Sequence, residues 1–164
     1  MTNILQNSLD GDPSHGTLNA KIVETLYGEA LMLADEARET FNRKREEVSD
    51  IKGNLQALAL SVETLRTTTR VMHMLAWLLN QRAFFAGELS ARQVKAFGPL
   101  PEVNPSDPEQ VALLDRDTQE IIARSESLHG QISRLERAKL RETAANDQGS
   151  IGDIKGKLEA AFGG

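Results

Sequence analysis

Glu126 and His129 are the residues of this chain whose types and spacing come closest to a metal site. A Glu-x-x-His pair places two ligands on one helical face, as in helical di-iron carboxylate proteins. Such sites need a second pair of this kind, whereas His73 is preceded by Thr69 and Arg70. The chain has no cysteine, and its three histidines stand in separate segments. We therefore expect no bound metal and no other cofactor.

Other catalytic arrangements are weaker still. Serine and aspartate are plentiful, but no nucleophile is arranged beside a base. Residues 152–158 resemble a phosphate-binding loop, but the glycines are one residue too close, and Leu158 stands where Ser or Thr is needed. The sequence predicts a protein without catalytic residues.

The composition narrows the class of protein. With 164 residues and a formal net charge of −5, the chain lacks the basic surface that a phosphate backbone requires, so we expect no nucleic-acid partner. Its most apolar window, residues 71–79, contains His73 and falls short of the roughly 20 apolar residues of a membrane span. The absence of cysteine suits a reducing compartment, and we expect a soluble cytoplasmic protein.

One long helix is predicted from residue 51 to about residue 86. Apolar or small residues recur there at strictly alternating steps of four and three, which predicts one stripe turned toward a partner helix. At about 1.5 Å per residue, the helix is roughly 55 Å long. This heptad stripe consists of Ile51, Leu55, Leu58, Val62, Leu65, Thr69, Met72, Ala76, Leu79, Ala83 and Ala86.

Two further helices are predicted where apolar or small residues recur every three or four positions. Their predicted inward positions are Ile22, Leu26, Ala30, Leu33, Ala37 and Phe41 in the first, and Val111, Leu114, Thr118, Ile121, Ser125, Leu128, Ile132 and Leu135 in the last. Four of the five prolines lie in residues 99–108, so residues 98–105 are a connector. The stretch from Ser106 to Glu109 is a capping box for the last helix, which fades after Arg141.

These elements predict an all-α protein, an antiparallel three-helix bundle with long helices, over residues 17–141. The second helix is expected to stop near Gly87. Residues 1–16 are predicted to be a flexible N-terminal tail and residues 142–164 a flexible C-terminal tail. Within that tail a short amphipathic face is a candidate for docking on a partner: Ile151, Ile154, Leu158 and Phe162. The alternative is a terminus that packs loosely on its own bundle.

Beyond Thr69 the second helix is apolar on both flanks of the stripe. Two neighbours cannot cover a helix that is apolar nearly all round, so this helix needs a third contact or a symmetric dimer interface. We predict a homodimer with Trp77, Phe84 and Phe85 at its interface.

A second stripe of the same helix combines Arg66, Arg70, His73, Trp77 and Phe84. Arginine and tryptophan are favoured at binding hot spots. The alternative interpretation is that Arg66 and Arg70 pair with carboxylates of the first helix, such as Asp35 or Glu36.

Three stretches between Leu65 and Leu89 carry a family resemblance. Residues 67–72 (Thr-Thr-Thr-Arg-Val-Met), residues 77–83 (Trp-Leu-Leu-Asn-Gln-Arg-Ala) and Gly87-Glu88 resemble the signature of the regulator of CtrA degradation (RcdA) family. The resemblance implies a cytoplasmic, dimeric three-helix protein without catalytic activity. It also implies ClpX or ClpXP and a CpdR-like response-regulator adaptor as partners.

We therefore expect a non-catalytic adaptor that tethers cell-cycle regulatory substrates to the ClpXP protease. The alternative is a dimeric helical scaffold with no proteolytic role. Candidates for partner binding are Arg66, Arg70, His73, Gln81 and Arg82.

Overall fold

A computed structural model describes residues 18–48 and 55–163 of the chain. These residues form five helices and no strand: α1 (Ala20–Val48), α2 (Leu55–Phe85), α3 (Ala91–Phe97), α4 (Pro108–Val111) and α5 (Arg116–Phe162). The all-α class is confirmed over these ranges, but the structure has five helices where three were predicted. The two additional helices are short and lie in the connection between α2 and α5. The predicted N-terminal tail and Ile51 of the heptad stripe lie outside the described residues.

The core forms where α1, α2 and α5 meet. The spacing of the first and last helices identified their inward faces correctly, with Ile22, Val111 and Leu135 at the margin rather than fully buried. The most completely enclosed apolar side chains come from all three long helices: Val23, Leu26, Met74, Leu78, Ile122 and Ile132.

The long helices do not alternate in direction as predicted. Arg70 contacts Ser125, and further along the same two helices Gln81 contacts Lys139, so α2 and α5 run parallel. The antiparallel placement predicted for the last long helix is therefore wrong. The physical reason is that the connection returns along the whole bundle before α5 begins.

Residues 98–107 make this return, and we call them the strap. None of them is helical, as the prolines at 99, 101 and 105 require. An extended chain covers about 3.3 Å per residue against about 1.5 Å in a helix. A short proline-rich segment can therefore run alongside a stretch of helix that contains about twice as many residues. The predicted connector at 98–105 is confirmed, and its extended form lets it run the length of the α2–α5 interface.

The helix ends follow local chemistry. α2 ends at Phe85, as predicted, because Gly87 adopts a φ of 76° that favours glycine. The N–H of Gly87 bonds the carbonyl of Phe84, and the N–H of Glu88 bonds that of Ala83. These two bonds form a Schellman motif.

The last helix restarts differently from the prediction. Ser106 does not cap a helix: its Oγ lies 3.5 Å from the Nη2 of Arg70, and its N–H donates to Glu126 on α5. Asp107 instead caps the four-residue α4, and its carboxylate accepts from the N–H of Glu109. The long helix begins only after Asp115, whose side chain caps α5. The cap therefore lies one residue later than predicted, and α5 starts well beyond it.

α5 also continues past Arg141, where it was predicted to fade, and reaches Phe162. Every residue from 140 to 163 is exposed, so the bundle ends near Lys139. We call residues 140–162 the α5 extension, which is about 34 Å long. Within the described ranges, none of the helices combines the length and hydropathy needed to cross a membrane.

We expect Gly87→Ala to lower the free energy of unfolding by about 1–2 kcal/mol, because a Cβ is disfavoured at positive φ. Urea denaturation followed by circular dichroism measures the change. The matched control is Gly28→Ala within α1, where an added Cβ meets nothing within 4 Å. That control is expected to raise stability by about 0.5–1 kcal/mol. A change in the free energy of unfolding of the same sign for both variants would contradict the role given to the positive φ of Gly87.

Candidate protein-interaction surface

The heptad stripe of α2 lies on the surface of the chain. The exposed fractions are 71% for Leu55, 59% for Leu58, 70% for Leu65, 63% for Met72 and 46% for Leu79. None of the other described stripe positions is buried. The expectation that the stripe faces a helix of the same bundle is therefore wrong.

The core side of α2 is the opposite one. Its buried centre falls at Leu60, Thr67, Met74 and Gln81, each seven residues from the last. Those positions lie about half a turn from the stripe. α2 thus has two faces of similar length, and the other residues that the structure describes cover only the one that carries Glu63, Arg70 and Gln81.

The aromatic residues predicted at a dimer interface lie near α5, where Trp77 is buried and Phe85 remains 37% exposed. Trp77 is only 5% exposed, and its Nε1 donates to Glu136 at 2.9 Å. The ammonium of Lys139 lies 4.7 Å from the centre of the Phe84 ring and 5.4 Å from that of Phe85. Trp77 is a core residue in this chain, whereas a place for Phe84 and Phe85 at a dimer interface stays a prediction.

Arg70 is 2% exposed and joins α2, α5 and the strap. Its Nη1 donates to the Oγ of Ser125 at 2.7 Å, and its Nη2 lies 3.4 Å from Glu126 and 3.5 Å from the Oγ of Ser106. Burial lowers the pKa of Arg70, although the carboxylates of Glu126 and Glu63 partly oppose that effect. A buried cation requires such partners, so this network favours one position of the strap.

Three carboxylates on α2 and α5 complete the attachment of the strap, and each accepts a backbone N–H from it. The pairs are Glu136 with Leu100 at 2.9 Å, Glu126 with Ser106 at 2.9 Å and Glu63 with Asp107 at 3.2 Å. Glu63 and Glu136 are not among the residues predicted from the sequence to form a site. A glutamate within a helix is typical of a solvated face, so no specific signal marked them.

The Glu126-His129 pair also belongs to this attachment. Glu126 binds Arg70 and the strap, and the Nε2 of His129 lies 3.0 Å from the carbonyl oxygen of Pro101. Among the described residues, no group of three or more His, Asp or Glu side chains is placed to hold a metal ion. The two residues that resembled a metal motif, Glu126 and His129, contact the strap in this structure.

Arg66, His73 and Arg82 border the heptad stripe and are partly exposed. Arg66 pairs with Glu63 of its own helix. Arg82 donates to Glu24 of α1 at 2.6 Å. These three candidates lie beside the uncovered face, where their contact with a partner stays a prediction.

Gln81 lies inside the chain, as Arg70 does. It is 4% exposed and accepts a hydrogen bond from Lys139 at 3.1 Å. Burial lowers the pKa of Lys139, and the charge of Glu136 raises it less. Neither Arg70 nor Gln81 presents its side chain on the described surface.

Arg66 and Arg70 do pair with carboxylates, as the alternative interpretation expected. Their partners are not Asp35 or Glu36 of α1 but residues of α2 itself and of α5. The helix directions explain the difference, because α5 and the strap, not α1, lie against this side of α2.

The four residues predicted to dock the tail on a partner lie exposed on the α5 extension, and their contact with a partner stays a prediction. The exposed fractions are 66% for Ile151, 56% for Ile154, 51% for Leu158 and 83% for Phe162. They recur at three, four and four residues along one side of a continuous helix. Within residues 18–48 and 55–163, an apolar helical face is thus uncovered on α2 and another lies beyond the bundle.

These features define an all-α protein with uncovered apolar helical faces. The chain belongs to the DUF1465 family: the family model, described as "Protein of unknown function (DUF1465)", matches residues 14–162. No curated protein and no solved structure matches the chain.

We expect Arg70→Met to destabilise the protein by about 1–3 kcal/mol, because it leaves the buried hydroxyl of Ser125 and the neighbouring groups of the strap without their donor. Urea denaturation measures the loss, and hydrogen exchange at Ser106 and Asp107 locates it on the strap. The control Arg137→Met removes an exposed arginine of α5 and should change stability by less than about 0.5 kcal/mol. Equal stability of the two variants would refute the role given to Arg70.

Proposed function

We propose that this protein is a non-catalytic cytoplasmic adaptor that holds cell-cycle regulatory proteins at the ClpXP protease, and that it acts as a homodimer. The resemblance of residues 67–72, residues 77–83 and Gly87-Glu88 to the RcdA signature supports the protease link. It also suggests ClpX and a CpdR-like response-regulator adaptor as partners.

The uncovered heptad stripe of α2 is the observation that carries the interaction role. Single exposed apolar residues are common on protein surfaces, but contiguous patches mark sites of contact. Here five large side chains, from Leu55 to Leu79, are each about half exposed or more and lie on one straight face. An alternation of three and four is the pattern of a helix that packs along another helix. We assign this face to the homodimer.

Delivery by tethering follows from the second uncovered face. The α5 extension begins where the bundle ends, so a protein bound to Ile154 or Leu158 is held beside the dimer without blocking α2. Joining two weak contacts in one molecule raises the local concentration of the second partner. An adaptor of this kind needs no enclosed pocket. A shallow groove of about 260 Å³ between α1 and α5 adds a further place for contact, with Met32 and Leu33 in its lining.

The alternative function is a dimeric helical scaffold without a proteolytic role. The heptad stripe favours it as strongly, because helix pairing on α2 says nothing about which proteins the dimer binds. The two proposals differ in what the α5 extension contacts.

We expect ClpX or a CpdR-like protein to be retained from native lysate by the immobilised full chain and lost when residues 142–164 are removed. A double variant, Ile154→Gln with Leu158→Gln, tests the same face without shortening the chain. Its matched control is Lys155→Gln, which changes an exposed polar position of the same segment. Unrelated helical proteins without any protease component in all samples would support the scaffold instead.

We expect the full chain to have the mass of a dimer by light scattering, and Leu65→Gln with Met72→Gln to weaken the dimer by more than tenfold. Burying each large apolar side chain contributes about 1.5–3 kcal/mol, and every substitution occurs twice in a symmetric dimer. Leu140→Gln, an exposed leucine outside the stripe, is the control and should keep the dimer. A dimer of unchanged affinity in the double variant would place the interface elsewhere.

A further inference from the structure

The heptad stripe distributes its large and small residues unevenly. Its first part, residues 55–65, contains only leucine and valine at the stripe positions. Its second part, residues 69–86, alternates threonine or alanine with Met72 and Leu79 and ends on alanine. All of these positions are at least partly exposed, so their large and small side chains can contact a partner helix.

A parallel pair of α2 helices in the same register would place every stripe residue opposite its own copy. Ala76 would face a second Ala76, and Leu65 a second Leu65. Layers of two alanines would then alternate with layers of two large residues along the second part of the stripe. The large layers hold the helices apart and leave voids at the alanines, which costs packing energy.

An antiparallel pair matches large residues with small ones. One register uses every described stripe position, and its layers are Leu55 with Ala86, Leu58 with Ala83, Val62 with Leu79, Leu65 with Ala76, and Thr69 with Met72 of the second copy. Each layer pairs an a position with a d position, as antiparallel coiled coils do. Each alanine meets a leucine, so the volume per layer stays nearly even.

We infer that two copies of this chain pack antiparallel along α2, with the twofold axis passing between Thr69 and Met72. This inference rests on the homodimer of the proposed function and specifies its geometry. It makes the interface isologous, so that each stripe meets the reversed stripe of the other copy.

The residues that border the stripe are compatible with this register. It places Arg66 across from His73 of the second copy, and Arg82 across from Ser61, so that no two arginines face each other. Arg66 and Arg82 are each paired with a carboxylate of their own chain, Glu63 and Glu24. No described stripe position carries a charge. The apolar face can therefore be buried without stranding an unpaired charge.

Disulfide trapping tests the geometry, because the chain has no cysteine of its own. The full chain is prepared as Leu65→Cys and, separately, as Ala76→Cys, and the two are mixed before mild oxidation. Positions 65 and 76 are about 16 Å apart along one helix. A disulfide needs Cα atoms within roughly 7 Å. We expect a linked heterodimer in the mixture and no linked homodimer of either variant alone. Ala123→Cys, an exposed alanine of α5, is the control and should give no linked product with either.

The other outcomes separate the geometry from the dimer. Linked homodimers of Ala76→Cys alone would show a parallel pair, which overturns the antiparallel inference and leaves the homodimer standing. A dimeric mass by light scattering without any stripe disulfide would move the interface off α2 and overturn the inference as well. A monomeric mass at all concentrations, with no linked product, would remove the proposed homodimer itself.

Discussion

The buried guanidinium of Arg70 is the interaction on which the rest of the structure depends. A charge that is 2% exposed must be surrounded by acceptors, and Arg70 obtains them from α5 and from the strap. The strap can bring its acceptors to Arg70 only if it returns along the α2–α5 interface. The same requirement makes α2 and α5 parallel, since a short turn between them would give antiparallel helices and no strap.

This arrangement also decides which face of α2 is left free. The strap and α5 both lie on the side that carries Arg70, Trp77 and Gln81, and α1 covers part of the remainder. Polar groups there find partners inside the chain, with some exceptions such as the Oγ1 of Thr67. The more apolar face is consequently turned outward, and a helix with a free heptad face is suited to pair with another helix. The proposed dimer follows from this division of α2.

The α5 extension stands in a different physical situation. No other described element covers residues 140–162, and an added Cβ at Gly149, Gly152 or Gly156 would meet nothing within 4 Å. Glycine is costly in an isolated helix, and short isolated helices are marginal in water. Packing of its apolar face on a partner is therefore the main source of added stability for this segment. That property suits the contact with a partner proposed for it.

Sequence alone determined the all-α class, the inward faces of α1 and α5, the strap and the end of α2 at Gly87. Each of these depends on neighbours within a few residues: a three-four repeat, a run of prolines or a glycine at positive φ.

Tertiary structure decided which face of α2 is buried. Periodicity identifies a stripe but cannot tell a stripe that packs within the chain from one left for a second molecule, and the more regular stripe proved to be the exposed one. It also decided the roles of Arg70, Trp77 and Glu126, because their partners lie between 20 and 59 residues away in the chain. Only the return of the strap along the bundle brings these residues into contact.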